Sequence, residues 1–166
     1  MKKVLFSSFV TVGLLSNVYG MDMKKMDTMS MFQTVPKEKA TLVQSGEQKM
    51  HCSRCGMNLV KFYKTSHVAK DSHNHQYQYC SIHCLEDHLK SGAKLKDIKV
   101  VDTDSLKLID ATSALYVVGS DVHGTMSRVS KYAFDTKKDA QAFVKKHGGK
   151  IMSFNEALEV AQKDFH

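Results

Sequence analysis

The sequence predicts an α+β fold in which two ββα-like units pack as one compact domain. Short β-prone segments bounded by turn residues alternate with segments that have helical periodicity and capping residues. The order strand, strand, capped helix and glycine occurs twice, which indicates a weak internal duplication of a ββα unit. We therefore expect a domain over residues 46 to 165, with units over residues 46 to 101 and 106 to 165.

The first unit is predicted to contain two strands, a helix and a short third strand. The strands are assigned to residues 59 to 64, 75 to 79 and 98 to 101, which are rich in β-branched and aromatic residues. Ser81 is a typical helix N-cap residue, and Gly92 ends a helix that runs to residue 91.

The second unit repeats this order with different residues. Strands are assigned to residues 115 to 119 and 127 to 134. Asp135 is the predicted cap of a helix that ends at the glycine pair of residues 148 and 149. Residues 153 to 156, Ser-Phe-Asn-Glu, form a capping box before a final helix.

Residues 1 to 20 have the pattern of a secretory signal peptide. Lys2 and Lys3 precede an uncharged apolar run, and Gly20 supplies a small residue at the expected cleavage position. The alternative is an uncleaved N-terminal anchor. No later stretch is apolar enough to cross a bilayer, so we expect an exported, periplasmic protein with no membrane span after cleavage.

Residues 21 to 45 are predicted to form a flexible arm that is rich in methionine. Five of the ten methionines lie within eleven positions: Met21, Met23, Met26, Met29 and Met31. Thioethers are soft ligands that favour Cu(I), and unlike thiols they form no disulfides in an oxidising compartment. The alternatives are a compositional accident and a helix that docks on the domain through methionine.

Composition excludes some functions. The formal net charge is +7, but the basic residues are scattered and have no interleaved aromatic residues, so we expect no nucleic-acid partner. The chain contains no convincing hydrolytic constellation, and we expect a binding protein rather than an enzyme.

The four cysteines form a metal-binding pattern, Cys52-x2-Cys55-x24-Cys80-x3-Cys84. Two close pairs at this separation are typical of a metal knuckle, in which Gly56 gives the turn its backbone freedom. Cys80 and Cys84 are expected at a strand end and in the first turn of a helix, where the helix N-terminus favours the thiolate form.

Two alternatives to metal binding remain open for these cysteines, and zinc remains open as an alternative to copper. Four cysteines in an oxidising compartment permit three disulfide pairings, which would make a disulfide-stapled module. Cys52 and Cys55 form a Cys-x-x-Cys pair, which is also found in thiol-disulfide oxidoreductases. A four-thiolate set equally suits a structural zinc ion.

Met57 favours copper over zinc. The thiolate of Cys55 and the thioether of Met57 are two residues apart and form a soft pair, whereas a thioether is a poor zinc ligand. His51, His67, His73 and His75 are possible nitrogen ligands, although we expect that most of the nine histidines do not bind metal.

A series of motifs lies in order along residues 50 to 160. The motifs are Cys55-Gly56-Met57, Tyr79-Cys80-Ser81, Asp110-Ala111, Leu115-Tyr116-Val117-Val118-Gly119-Ser120, Gly124-Thr125-Met126, Tyr132-Ala133-Phe134, Asp139-Ala140-Gln141-Ala142-Phe143 and His147-Gly148-Gly149. Together they resemble the NosL family, the copper-binding accessory proteins of nitrous oxide reductase assembly. The Cys-rich first unit also resembles the treble-clef-like metal modules of the TRASH/YHS type.

The resemblance implies a periplasmic Cu(I) donor built from two ββα units. It places the family's ligands on Cys55, Met57 and Met126, and we add Cys52, Cys80 and Cys84 as further candidate ligands. Its expected partner is an apo copper enzyme, nitrous oxide reductase in the first place, or an assembly factor of that enzyme. Residue 21 is Met where lipoprotein members have Cys, so we expect no lipid anchor here.

Overall fold

A computed structural model describes residues 31 to 164, so residues 1 to 30 and the last two residues lie outside the described chain. The predicted signal peptide and the first four methionines of the arm fall in that outside region. The strands and α-helices of the described part are β1 (His67–Lys70), β2 (Gln76–Tyr79), α1 (Ile82–Lys90), β3 (Lys96–Val101), β4 (Leu108–Asp110), β5 (Leu115–Val118), β6 (Lys131–Phe134), α2 (Lys137–His147), β7 (Lys150–Met152) and α3 (Phe154–Asp164).

The strands form two antiparallel sheets that repeat one topology. The first sheet has the order β2-β1-β3-β4, and the second has the order β6-β5-β7. In each sheet the first strand of the unit is central, with the second strand on one side and the strand that follows the helix on the other. The α+β class and the internal duplication are confirmed, and each unit is more fully described as ββαβ.

The predicted strand over residues 59 to 64 is wrong, because this segment forms turns that end in the 3-10 helix Tyr63–Thr65. The side-chain oxygen of Asn58 accepts hydrogen bonds from the backbone N–H groups of Val60 and Lys61, each at 3.0 Å, which favours a turn. Leu59 and Tyr63, which are fully buried, are four residues apart, a helical rather than a strand spacing. The first strand of the unit is β1 instead.

The other element boundaries are close to the predictions. Strand β6 starts four residues later than expected, and α2 is capped by Thr136, whose hydroxyl accepts the Asp139 N–H at 3.2 Å, rather than by Asp135. The capping box of α3 is confirmed, since the Ser153 N–H donates to the Glu156 carboxylate at 2.7 Å. Strands β4 and β7 were not predicted because each has only three residues.

The domain begins before residue 46. Val35 and Gln33 are 5% and 3% exposed, and the Phe32 ring lies 5.2 Å from the Tyr132 ring. The Val43 N–H donates to the side chain of Gln78 in β2 at 3.0 Å. Residues 32 to 43 therefore contact both units, and the expected flexible arm does not extend through them. Their few apolar residues are too dispersed to show a period.

The two units share one core. Its largest cluster includes Leu85 of α1, Tyr116 of β5 and Phe154 of α3.

Burial lowers the pKa of His67 to about 4, so this fully enclosed ring is neutral at neutral pH. Its Nδ1 donates to the Thr65 carbonyl at 3.0 Å, which leaves Nε2 to accept the Tyr116 hydroxyl at 3.1 Å. The central strands β1 and β5 are joined by this buried hydrogen bond.

Among residues 31 to 164, none of the helices combines the length and the apolar character that crossing a membrane requires.

Replacing Tyr116 with Phe is expected to lower the free energy of unfolding by about 1–3 kcal/mol, because it leaves the buried Nε2 of His67 without a donor. Denaturant unfolding measures this change. Tyr77→Phe is the matched control, since its hydroxyl bonds the side chain of Asp71 at the surface, and its effect should stay below about 0.5 kcal/mol. Equal effects of the two changes would contradict the proposed role of this bond.

Candidate metal centre

Residues 51 to 58 form a tight knuckle that presents Cys52 and Cys55. The Cys52 N–H donates to the Met57 carbonyl at 2.8 Å, and the Gly56 N–H donates to the Cys52 carbonyl at 3.0 Å. Gly56 has a φ of 75°, a left-handed conformation that a residue with a Cβ rarely adopts. The Ser53 N–H donates to the Gln78 carbonyl at 2.9 Å, so the knuckle is fixed to β2.

The second pair of cysteines comes from the junction between β2 and α1. Cys80 directly follows β2, and Cys84 lies in the first turn of α1, as predicted. Ser81 occupies the N-cap position, but its hydroxyl makes no capping bond. The N-terminal end of a helix stabilises negative charge on nearby sulfur.

Helix α1 is held in place by a buried polar cluster that reaches the second unit. Burial lowers the pKa of His83 to about 4, so its neutral ring accepts a hydrogen bond from the Lys131 ammonium at 3.2 Å. The same ammonium lies 3.3 Å from the Asp164 carboxylate at the end of α3. Cys84, next to His83, is therefore fixed relative to both units.

The four cysteine sulfurs converge on one point. All four Sγ atoms lie within 4.8 Å of one another, with 3.5 Å between Cys55 and Cys80 and 3.8 Å between Cys80 and Cys84. Four sulfurs at about 2.3 Å from a tetrahedrally bound ion are about 3.8 Å apart. The observed spacing fits one metal ion, and all four cysteines are free thiols. Cys80 and Cys84 therefore lie in the same sulfur cluster as Cys55.

Burial differs sharply within the cluster. Cys80 is completely buried, and Cys52 and Cys84 are 4% and 5% exposed, whereas Cys55 is exposed at the surface. An ion in the centre would therefore be shielded on three sides. It would be open to another molecule at Cys55.

The thiols share their protons unequally. Hydrogen bonds from Cys80 and Cys84 lower the pKa of the Cys52 thiol, while the bonds to Cys52 raise the pKa of Cys80 and Cys84. Negative charge within the cluster is therefore favoured at Cys52. A cation that enters the cluster replaces these protons, so metal binding is coupled to proton release.

An ion pair that sequence reasoning missed joins the two halves of the cluster. The Nε and Nη2 atoms of Arg54, which lies between Cys52 and Cys55, are 2.7 Å and 2.5 Å from the Asp87 carboxylate on α1. The two residues are 33 positions apart, and no local sequence pattern connects them.

The two candidate methionine ligands differ in burial. Met57 is half-buried and packs against the core cluster that contains Cys52, Cys80 and Cys84. Met126 is 40% exposed and has a φ of 57°. The neighbouring Thr125 is buried, and its hydroxyl is 2.7 Å from that of Thr65, which is also 2.7 Å from the Cys80 carbonyl.

Met126 does not occupy a position equivalent to Cys55 or Met57. It lies in the loop between β5 and β6, whereas the knuckle precedes β1. The duplication therefore offers no support for Met126 as a ligand, and this assignment remains a prediction that rests on the family resemblance and on its loop's connection to Cys80.

Several histidines have partners elsewhere. The His67 ring bonds Tyr116, and Nδ1 of His88 is 2.8 Å from the Tyr79 hydroxyl. His51 adjoins Cys52 in the knuckle, and His73 and His75 lie in the turn between β1 and β2.

Comparison with known proteins gives one consistent result. A sequence model of the NosL family matches residues 43 to 161. The copper-binding lipoprotein NosL of Stutzerimonas stutzeri is 45% identical over 53 residues, which cover 32% of this chain but only 27% of that protein. The crystal structure of the copper chaperone NosL from Shewanella denitrificans aligns with a TM-score of 0.55 and 25% identity, over 69% of this chain and 93% of that chain.

Replacing Cys80 with Ser is expected to weaken Cu(I) binding by about tenfold or more, equivalent to about 1.4 kcal/mol, because it removes a buried sulfur that lies 3.5 Å from the Cys55 sulfur. Cys55→Ser should act in the same direction. Competition with a chromophoric Cu(I) chelator under anaerobic conditions measures both affinities. Ser53→Ala, in the same knuckle, leaves all four sulfurs in place and should bind as wild type does. Wild-type affinity in Cys80→Ser would show that the cluster is not the ligand set.

Proposed function

The chain belongs to the NosL family, and from this premise we propose that it is an exported Cu(I)-binding protein that delivers copper to an enzyme of the cell envelope. Nitrous oxide reductase is the expected client. The observation that carries the proposal is the convergence of four cysteine sulfurs, three buried and one exposed, at a single point.

The donor set favours a soft ion. Thiolate and thioether ligands select Cu(I) over hard cations, and the cluster combines four thiols with Met57 beside them. We propose Cys52, Cys55, Cys80 and Cys84 as the holding ligands, with Met57 and Met126 as thioether ligands that take the place of a thiolate rather than adding to all four. Copper is the cargo of this site, and the protein carries out no catalytic step on it.

Exposure of Cys55 supports delivery over storage. A ligand of the client can approach the ion only where the protein leaves it accessible, and among the four cysteines that side is Cys55. As the client's donor binds, Cys55 would leave the ion first and the buried thiols afterwards. Each step exchanges one soft donor for another, so no single step leaves the ion without ligands.

The partly exposed Arg54–Asp87 ion pair supports docking of a client beside Cys55. The two side chains are 33% and 61% exposed, and exposed ion pairs contribute only about 0–1 kcal/mol. The contact is therefore strong enough to orient the knuckle against α1, and weak enough for a docking client to replace it.

The N-terminal region supports an envelope location. Residues 1 to 20 resemble a signal peptide, and the methionines at positions 21 to 31 are suitable for weak capture of Cu(I) in an oxidising compartment. We propose that the protein acts in the periplasm after cleavage near Gly20.

The second candidate function is a zinc-stapled structural module. Four cysteines within 4.8 Å of one another also fit a structural zinc ion, which has four protein ligands and no open position. Thiol-disulfide exchange by Cys52 and Cys55 is the remaining alternative. Release of copper to a client protein would distinguish copper delivery from the structural zinc module and from thiol-disulfide exchange.

The chain loaded with one equivalent of Cu(I) is expected to transfer most of this copper to the apo form of nitrous oxide reductase. The proteins are mixed anaerobically and separated, and metal analysis of each follows the ion. The same chain loaded with zinc is the control for non-specific loss. Retention of copper by the chain, together with zinc in protein isolated from cells, would instead support the structural module. Rapid disulfide exchange without copper transfer would support the redox alternative.

A further inference from the structure

The turn between β1 and β2 brings two imidazoles together. His73 and His75 flank Asn74, which has a φ of 65°, and their ring centres are 6.0 Å apart. Two imidazoles that bind one ion with metal–nitrogen bonds of about 2 Å have ring centres at most about 6 Å apart. The spacing therefore fits a shared ion in a nearly linear arrangement.

Asp71 orders this turn. One oxygen of its carboxylate accepts the backbone N–H groups of His73 and His75, at 2.8 Å and 3.0 Å. The other oxygen accepts Nδ1–H of His75 at 3.0 Å and the Tyr77 hydroxyl at 3.2 Å. Although desolvation opposes ionisation, the bonds from His75 and His73 lower the pKa of Asp71 to about 2, so the carboxylate is ionised and can only accept.

This arrangement defines which nitrogen is available. Because the ionised Asp71 carboxylate accepts from Nδ1 of His75, Nε2 is the ring nitrogen left for a metal ion, which would take the place of any proton there. A carboxylate that accepts the second ring N–H is the usual support of a metal-binding histidine, because it fixes the tautomer and increases the basicity of the ligating nitrogen. The His75 side chain is 71% exposed, which gives an ion direct access.

The turn adjoins the thiol cluster across a groove. A surface groove of about 670 Å³ is lined by His75, Asn74 and Tyr77 on one side and by His51, Cys52 and Ser53 on the other. The segment that contains His75 and the segment that contains His51 therefore both face a groove that also reaches Cys52. An ion bound at His75 would be separated from the cluster by this open groove.

We propose that His73 and His75 form a second copper site, a two-imidazole site for Cu(I) that is weaker than the thiol cluster and supplies it with metal through the groove. Imidazole binds copper well but is a harder donor than thiolate, so an ion would move in the direction of Cys52. The binding site is independent of the proposed function, whereas its role as a loading site depends on it.

The test uses the full chain already loaded with one equivalent of Cu(I), so that the thiol cluster is filled. A second equivalent is then titrated under anaerobic conditions in the presence of a competing chelator. The wild type is expected to bind it, with shifts in the ring nitrogen resonances of His73 and His75. The double variant H73A/H75A should lose at least tenfold in affinity for the second ion, and keep its affinity for the first.

His123→Ala is the matched control, since it removes an exposed loop histidine on the second unit and should leave both affinities unchanged. Stopped-flow measurement of Cu(I) loading onto the apo chain tests whether the two histidines supply the thiol cluster. The H73A/H75A variant should fill the thiol cluster several-fold more slowly than the wild type. Unchanged second-ion affinity in H73A/H75A would overturn the site, whether or not copper transfer to the client succeeds. Weaker second-ion binding with an unchanged loading rate would overturn its role in loading.

Discussion

The structure depends on the requirement that closely spaced sulfurs share protons or a cation. Four thiols within 4.8 Å of one another, three of them buried, cannot all be thiolates without a compensating positive charge. Hydrogen bonds from Cys80 and Cys84 lower the pKa of the Cys52 thiol. A bound cation would supply positive charge of this kind and would displace thiol protons. The folding of the knuckle, the placement of α1 and the access at Cys55 can each be understood from this requirement.

The duplicated fold assigns different roles to its two units. Cys80 directly follows β2 and Cys84 is the third residue of α1, while Asp135 and Asp139 occupy these positions after β6 and in α2. Asp139 contributes its backbone N–H to the Thr136 cap. The same local geometry thus presents cysteines in the first unit and aspartates in the second, where Asp139 takes part in the helix cap. The second unit contributes a supporting surface instead, in which Tyr116 and Phe154 pack in the core that surrounds the cysteines.

Much of the candidate site could be predicted from the sequence, because the signals are local. The cysteine spacing, the glycine after Cys55 and the Ser81 position place both pairs on a knuckle and a helix start, as the structure has them. The Arg54–Asp87 pair and the His67–Tyr116 bond could not be predicted, since each joins residues that only the tertiary fold brings together. The segment from 59 to 64 was misassigned because β-prone residues there are overridden by the Asn58 side chain and by burial at a helical spacing.

The central claim is that cysteines from two separate segments act as one ligand set for a monovalent soft ion. Silver–proton correlation NMR of the chain loaded with Ag(I), a closed-shell analogue of Cu(I), tests it most directly because each cross-peak identifies a bound side chain. The account predicts one silver resonance that correlates with the β protons of Cys52, Cys55, Cys80 and Cys84. Correlations confined to Cys55, Met57 and Met126, with none from Cys80 or Cys84, would contradict it.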